Sequence, residues 1–283
     1  MLNGITALNR RLSARIEARL PQCQPGIYAE YDRLAQILLD GSPRTVLDVG
    51  GGRESHIADF CSSDSTIIAM DISPSELAQN CKATQMVVAD ACQEFPLQPE
   101  SVDLVTSYCV LEHLPDVTAF CRHAFRVLRP GGAMLHVFPC RNAIFSVMNR
   151  IFPFKMSRRL ISALTGKPKT YGFPAYYDQC SPARIEAVLV QAGFRVETIE
   201  VNYYQSQWFT FFAPLYAISV LCERALMALR LRPLCGHMVV VAKKDSGSDL
   251  PATRRERTIH AVTNSAQSAP ISFVKYDASK RAR

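Results

Sequence analysis

Leu2, Ile5, Leu8, Leu12, Ile16 and Leu20 recur three and four residues apart. That period predicts an amphipathic helix within residues 1–24, with its arginines largely off the apolar stripe. Tyr28 to Leu39 predicts a second helix, stopped near Gly41 and Pro43. Apolar and β-branched runs then alternate with helical patterns. The predicted strands are Thr45–Val49, Thr66–Met70, Gln85–Val88, Val102–Ser107, Ala133–Phe138, Phe194–Val201 and His237–Ala242. Strands separated by crossover helices predict a doubly wound, mostly parallel α/β sheet with helices on both faces.

Two long segments interrupt this alternation. Residues 141–180 separate the fifth strand from a predicted helix Pro182–Ala192, and residues 205–235 separate the last two strands. In a parallel sheet both segments leave carboxyl ends, so both are expected to sit as a lid over one edge. After Lys244 the periodicity ends, and 245–283 reads as a disordered tail. No run of about 18 apolar residues and no secretory leader stands out.

Charge adds to this division. The chain of 283 residues carries net +7. Segments 1–24, 141–180, 205–235 and 245–283 carry +3, +6, +2 and +3, so the remainder is −7. An acidic core bears basic attachments, which suit nucleic acid, anionic lipid or an acidic substrate. The ten cysteines form no C-x-x-C pair, so no metal site is expected and reduced thiols in a cytoplasmic protein are.

The chemistry concentrates where the first strand runs into Asp48-Val49-Gly50-Gly51-Gly52-Arg53-Glu54. Glycines at a strand-to-helix turn admit a ligand close to the backbone. Asp71 ends the second strand, where a carboxylate can accept hydrogen bonds from ribose hydroxyls. Asp90-Ala91 ends the third strand, and an Arg129-Pro130-Gly131-Gly132 turn precedes the fifth. A dinucleotide fingerprint is narrowly missed, with Ser55 at its third glycine. The anionic pyrophosphate of NAD would be repelled by Asp48, whereas a cationic sulfonium ligand would be attracted.

On these residues the sequence resembles the class I S-adenosylmethionine-dependent methyltransferases, in the broad group acting on small molecules and lipids (methyltransferase type 11-like). Val46-Leu47-Asp48-Val49-Gly50-Gly51-Gly52 is similar to that family's first motif, although Glu54 stands where a third glycine is common. The resemblance implies a Rossmann-like seven-stranded sheet with the last strand antiparallel, spanning residues 25–244 with 141–180 and 205–235 as helical lid insertions. It implies S-adenosyl-L-methionine as cofactor. Asp48, Gly50, Gly51 and Gly52 would hold its methionine part, Asp71 the ribose, and Ile72, Asp90 and Ala91 the adenine. Ser107 and Tyr108 would border the transferable methyl.

Methylation of a hydroxyl requires loss of its proton. Glu112-His113-Leu114-Pro115-Asp116 follows the fourth strand, and His113 is the candidate base, weighed against a packing role; His136 reads as structural. The Pro139-Cys140 pair suggests cytosine C5 chemistry, but Thr106-Ser107-Tyr108-Cys109 lacks the matching proline and any Pro-Pro-aromatic motif. Both absences argue against a nucleic-acid acceptor. The expected reaction is methyl transfer to a small-molecule or lipid-linked acceptor, at oxygen before carbon or nitrogen. The alternatives are an NAD-dependent oxidoreductase and an inactive methyltransferase-like binding module. Uncharged aromatic stretches beside arginines in both insertions, such as Trp208 to Cys222 ahead of Arg224, weigh a dry lid against peripheral contact with the inner face of a membrane.

Overall fold

The structure of the protein, a computed structural model, describes residues 2–22, 24, 26–42, 44–151 and 173–246. Seven strands form one sheet: β1 (Thr45–Val49), β2 (Thr66–Asp71), β3 (Gln85–Val88), β4 (Val102–Tyr108), β5 (Leu128–Pro139), β6 (Arg195–Asn202) and β7 (His237–Lys243). Their order is β3-β2-β1-β4-β5-β7-β6. β1 to β5 pair in parallel, and β7 runs antiparallel to both β5 and β6. The expected mostly parallel sheet with an antiparallel last strand is therefore present. The carboxyl ends of β1 to β6 all emerge along one edge.

Alternation along each strand divides the core between two faces. Val46, Leu104, Leu135, Val137, Val239 and Val241 pack beneath Ile27, Tyr31, Ala35 and Leu39 of helix α2 (Ile27–Leu39). Leu47, Val105, Met134, Phe138 and Val240 face the other way. They meet Phe120, Cys121 and Ala124 of α4 (Val117–Val127) and Ile185 and Leu189 of α6 (Pro182–Gln191). Each such side chain contributes about 1.5–3 kcal/mol on burial. Asp116 caps α4, its carboxylate accepting from Ala119 N at 2.8 Å.

The helical cover is thinner than the alternation predicts. Between β1 and β2 lies only a 3₁₀ turn, His56–Phe60, and between β2 and β3 only α3 (Pro74–Leu77). No helix joins β3 to β4. The β1–β2 connection is rich in Gly, Ser and Asp, which favour local side-chain–backbone bonds over helix propagation, and Pro96 and Pro99 interrupt the β3–β4 connection. β3 is accordingly an exposed edge, with Met86 and Val88 open to solvent.

The N-terminal helix α1 (Leu2–Arg19) is not a separate appendage. It packs along α7 (Ala213–Ala228), part of the second insertion. Ile16 and Leu20 lie against Phe209, Tyr216 and Val220. Ser13 Oγ donates to Thr210 O at 3.2 Å, and Asn9 Oδ1 accepts from Ala213 N at 3.0 Å. The first insertion contributes α5 (Ile144–Ile151) and the return 173–180. Residues 152–172, and the tail expected over 245–283 from residue 247 onward, lie outside the described residues. No helix among the described residues is long and apolar enough to cross a membrane.

Candidate functional site

The site begins at the glycine turn. Gly50 has φ +73 and Gly52 φ +34, conformations that L side chains rarely adopt. A Cβ on Gly50 would collide with the side chain of Val110, and one on Gly51 would come within 2.8 Å of Asp48 Oδ2. The bare backbone is thus imposed by packing beneath the turn as well as by dihedral angle. Asn80, a buried residue the sequence pattern did not single out, clamps the turn. Its Nδ2 donates to Gly51 O at 3.0 Å, Gly52 O at 3.1 Å and Ser55 Oγ at 3.1 Å.

Asp48 lies beneath this turn. Burial pushes its carboxyl up to about 7, opposed by the Ser55 hydrogen bond and His56 and reinforced by Asp71. Asp71 Oδ1 accepts from Ser73 N at 2.8 Å, while Oδ2 lies on the side of Gly52. Ile72 beside it is 62% exposed, an apolar face with nothing over it among the described residues. Asp90 accepts from Cys92 N at 2.8 Å, and Ala91 is buried. Because β3, β2, β1 and β4 are adjacent and parallel, Asp90, Asp71, the glycine turn and Ser107-Tyr108 stand in one row along the carboxyl edge. Carboxylates around an open glycine backbone suit a ligand with positive charge and hydroxyl groups, which the sulfonium, ammonium and ribose of S-adenosylmethionine supply.

Ser107 and Tyr108 diverge. The Ser107 hydroxyl is buried against His136 Nδ1 at 2.8 Å, so its side chain faces the α4 side of the sheet. His136 is held neutral by burial, down to about 3, which agrees with a structural role. Tyr108 faces the α2 side, 4.7 Å from the His56 ring and stacked on Tyr28 at 5.2 Å. Tyr28 meets His237 at 5.7 Å, His237 stacks on Phe145 at 5.3 Å, and Phe145 meets Trp208 at 5.6 Å. This aromatic run links the end of β4 to both insertions. Cys109, between Tyr108 and Val110, has φ 56, a left-handed conformation costing about 1–3 kcal/mol in a non-glycine residue.

Beyond Cys109 the chain makes a 3₁₀ turn, Leu111–His113. His113 is half-buried, and its Nδ1 lies 2.8 Å from Pro174 O. A carbonyl can only accept, so Nδ1 carries the hydrogen and Nε2 the lone pair. Burial lowers the basicity of the ring. Glu112 is buried, its Oε1 lies 3.8 Å from His113 Nε2, and its Oε2 has no hydrogen-bond partner. Neither Glu112 nor Tyr28 belongs to the sequence-predicted site; adjacency to His113 was the only sign of the former. Tyr176 N and Tyr177 N donate to Glu112 O at 2.8 and 3.0 Å, stitching the return of the first insertion to this turn. The two insertions also meet: Ile144 N donates to Gln205 Oε1 at 2.7 Å, and Asn142 Nδ2 to Pro233 O at 3.0 Å. A separate cavity between α1, α7 and the end of β6, lined by Glu17, Tyr204, Tyr216 and Glu223, holds none of these site residues.

Residues 47–136 match a family model described as a methyltransferase domain. A ubiquinone biosynthesis O-methyltransferase from Xanthomonas euvesicatoria is 28% identical over 172 residues, 56% of this chain and 66% of that protein. A demethylmenaquinone methyltransferase from Mycolicibacterium gilvum is 26% identical over 132 residues, 46% of this chain and 58% of that protein. The chain thus spans less than two thirds of the length of these relatives. A solved structure described as a methyltransferase from Bacillus halodurans superposes with a TM-score of 0.50 at 17% identity, covering 77% of this chain and all of that one. That likeness concerns the fold.

Proposed function

We propose that this chain, which belongs to the class I S-adenosylmethionine-dependent methyltransferases, moves a methyl group to the hydroxyl of a small-molecule acceptor carried on an apolar chain. The observation that carries the cofactor half is the row of Asp90, Asp71 and the glycine turn over buried Asp48. Asp48 and Gly50 to Gly52 would hold the methionine end, Asp71 the ribose, and Ile72 with Asp90 and Ala91 the adenine. S-adenosylmethionine supplies an electrophilic methyl on a sulfonium, which becomes a neutral thioether. The protein's part is to hold the acceptor in line and to take its proton.

Transfer at oxygen rests on His113. Its Nδ1 is committed to Pro174, which leaves a basic Nε2 at the end of β4. The acceptor class rests on the aromatic run from Tyr108 to Trp208, which leads from the strand ends to exposed apolar residues of the insertions. The second insertion exposes Trp208, Phe212, Leu215, Ile218 and Leu221, and the first exposes Ile144, Met148 and Ile151. The names of two relatives, a ubiquinone biosynthesis enzyme and a demethylmenaquinone methyltransferase, support a small-molecule acceptor. We further propose that these apolar residues make peripheral contact with a membrane, with Arg150, Arg224, Arg230 and Arg232 of the same two insertions supplying positive charge.

Two experiments test these readings. Calorimetry should show S-adenosylhomocysteine binding that weakens about 5- to 150-fold in Asp71→Ala, as expected for lost hydrogen bonds to a charged group. Binding of NAD in its place would overturn the cofactor assignment. The full chain should sediment with anionic vesicles at low salt, and Leu215→Ser/Ile218→Ser/Leu221→Ser should stay in the supernatant. A wild-type chain that also stays there makes the insertions a dry cap.

A further inference from the structure

We propose that Glu112 is a positioning residue for His113: the two side chains form a proton-holding pair at the end of β4, in which Glu112 rests neutral beside the His113 lone pair and becomes the counter-charge when His113 takes a proton from the acceptor. The proposal rests on the methyl-transfer reading above and adds a residue outside the cofactor-binding and base assignments.

Three observations carry it. First, Glu112 is 5% exposed and its Oε2 makes no hydrogen bond. Buried carboxylate oxygens in folded proteins are nearly always paired, so an orphan at this place calls for a role. Secondly, no Lys or Arg among the described residues pairs with it. The titratable groups facing it are Tyr28 from α2, Cys109 at the end of β4, His113 on its own turn, and Tyr177 and Cys180 from the first insertion. All are neutral at pH 7 when His113 is neutral. A carboxylate there would be a buried charge with no cationic partner, and burial pushes Glu112 up to about 8 against the hydrogen bond from its own backbone N–H. Thirdly, the pair is held from both sides by the insertion. Pro174 O fixes the His113 tautomer, and Tyr176 N and Tyr177 N fix the Glu112 backbone.

The proton balance is simple. The acceptor hydroxyl gives its proton to His113 Nε2 as its oxygen lone pair forms the bond to the methyl carbon; the carbon–sulfur bond breaks and its electron pair stays on sulfur. The imidazolium then faces Glu112 Oε1 at 3.8 Å. An opposite charge at that range favours the ionised form of each partner. Glu112 releases its own proton to solvent as His113 is protonated, and the His113 Nε2 proton then passes to Glu112, so one proton leaves per methyl transferred and both side chains return to the neutral state.

The test is an imidazole NMR titration of the full-length protein labelled with ¹⁵N-histidine, wild type against Glu112→Gln. It needs no acceptor. The wild-type His113 signals should move in two steps, one below the ordinary histidine range and one near pH 8 as Glu112 ionises. Glu112→Gln should keep the first step and lose the second, and Glu112→Asp should restore a second step. A single wild-type step, or a second step that survives in Glu112→Gln, overturns the proposal. A thermal melt verifies that each variant folds. S-adenosylhomocysteine calorimetry on the same samples separates the two readings: its failure removes the methyl-transfer premise whatever the titration shows.

Discussion

The two halves of the carboxyl edge are built differently. At the cofactor half most of the contacts that shape the site are local, the Asn80 clamp on the glycine turn apart. Ser73 N reaches Asp71 and Cys92 N reaches Asp90, each two residues away, and adjacent parallel strands place the turn beside Asp71. At the lid half they are remote. His113 reaches Pro174, and Ile144 reaches Gln205, over 61 residues each; Ala213 reaches Asn9 over 204. The first half is a fixture most of whose parts, Asn80 excepted, carry a sequence signature. The second is an assembly of three separate segments, α1 and the two insertions, joined by contacts remote in sequence. A ligand held by the first half should therefore be insensitive to damage in the second.

The largest expected effect lies in the fixture. Gly50→Val places a branched side chain where φ is +73 and Val110 already sits. Left-handed strain of about 1–2 kcal/mol and overpacking of about 1–3 kcal/mol add together. S-adenosylhomocysteine binding should vanish and the melting temperature fall; retained affinity would show that the turn is not the cofactor cradle.

Glu112→Gln should come next, as a change in pH dependence. The folded state holds the Glu112 proton up to about 8, whereas an unfolded glutamate loses it near 4.5. A raised carboxyl costs stability as pH rises between those values, because the unfolded chain then binds fewer protons. Glu112→Gln should therefore match wild type near pH 4 and exceed it by a few kcal/mol at pH 8 and above. Denaturant melts at the two pH values measure this, and parallel losses at both would show that the carboxyl is not held neutral.

The smallest effect concerns the assembly. Asn9→Ala/Ser13→Ala removes two hydrogen bonds between α1 and the second insertion, at about 1 kcal/mol each. Amide exchange in α7 should quicken while S-adenosylhomocysteine affinity stays at wild-type level. Equal weakening of affinity would show that the halves are coupled and would remove the distinction drawn between them.

What was legible in the sequence follows the same division. Periodicity placed all seven strands, with ends displaced by a few residues. The main exception is β5, which begins at Leu128 and takes the Arg-Pro-Gly-Gly turn into the strand. Periodicity overstated the crossover helices, because it does not register the helix-breaking Gly, Ser and Asp after β1 or Pro96 and Pro99 after β3. Glycines, Asx turns and strand-end carboxylates are short-range devices, so Asp48, Gly50, Gly51, Gly52, Asp71 and Asp90 could be recognised along the chain. Asn80, Tyr28 and Glu112 could not: each acts on residues more than 25 positions away or through burial that neighbours in sequence do not determine. Ser107 shows the reverse, a residue at a predicted strand end whose hydroxyl tertiary packing turned toward His136. The N-terminal helix makes the point most fully. Its apolar stripe was explicit in the sequence, but a stripe specifies only that a face must be covered. That α7 covers it was decided by folding, because hydrophobic burial is non-directional and the remote partner is chosen by shape and by which backbone groups remain to be paired.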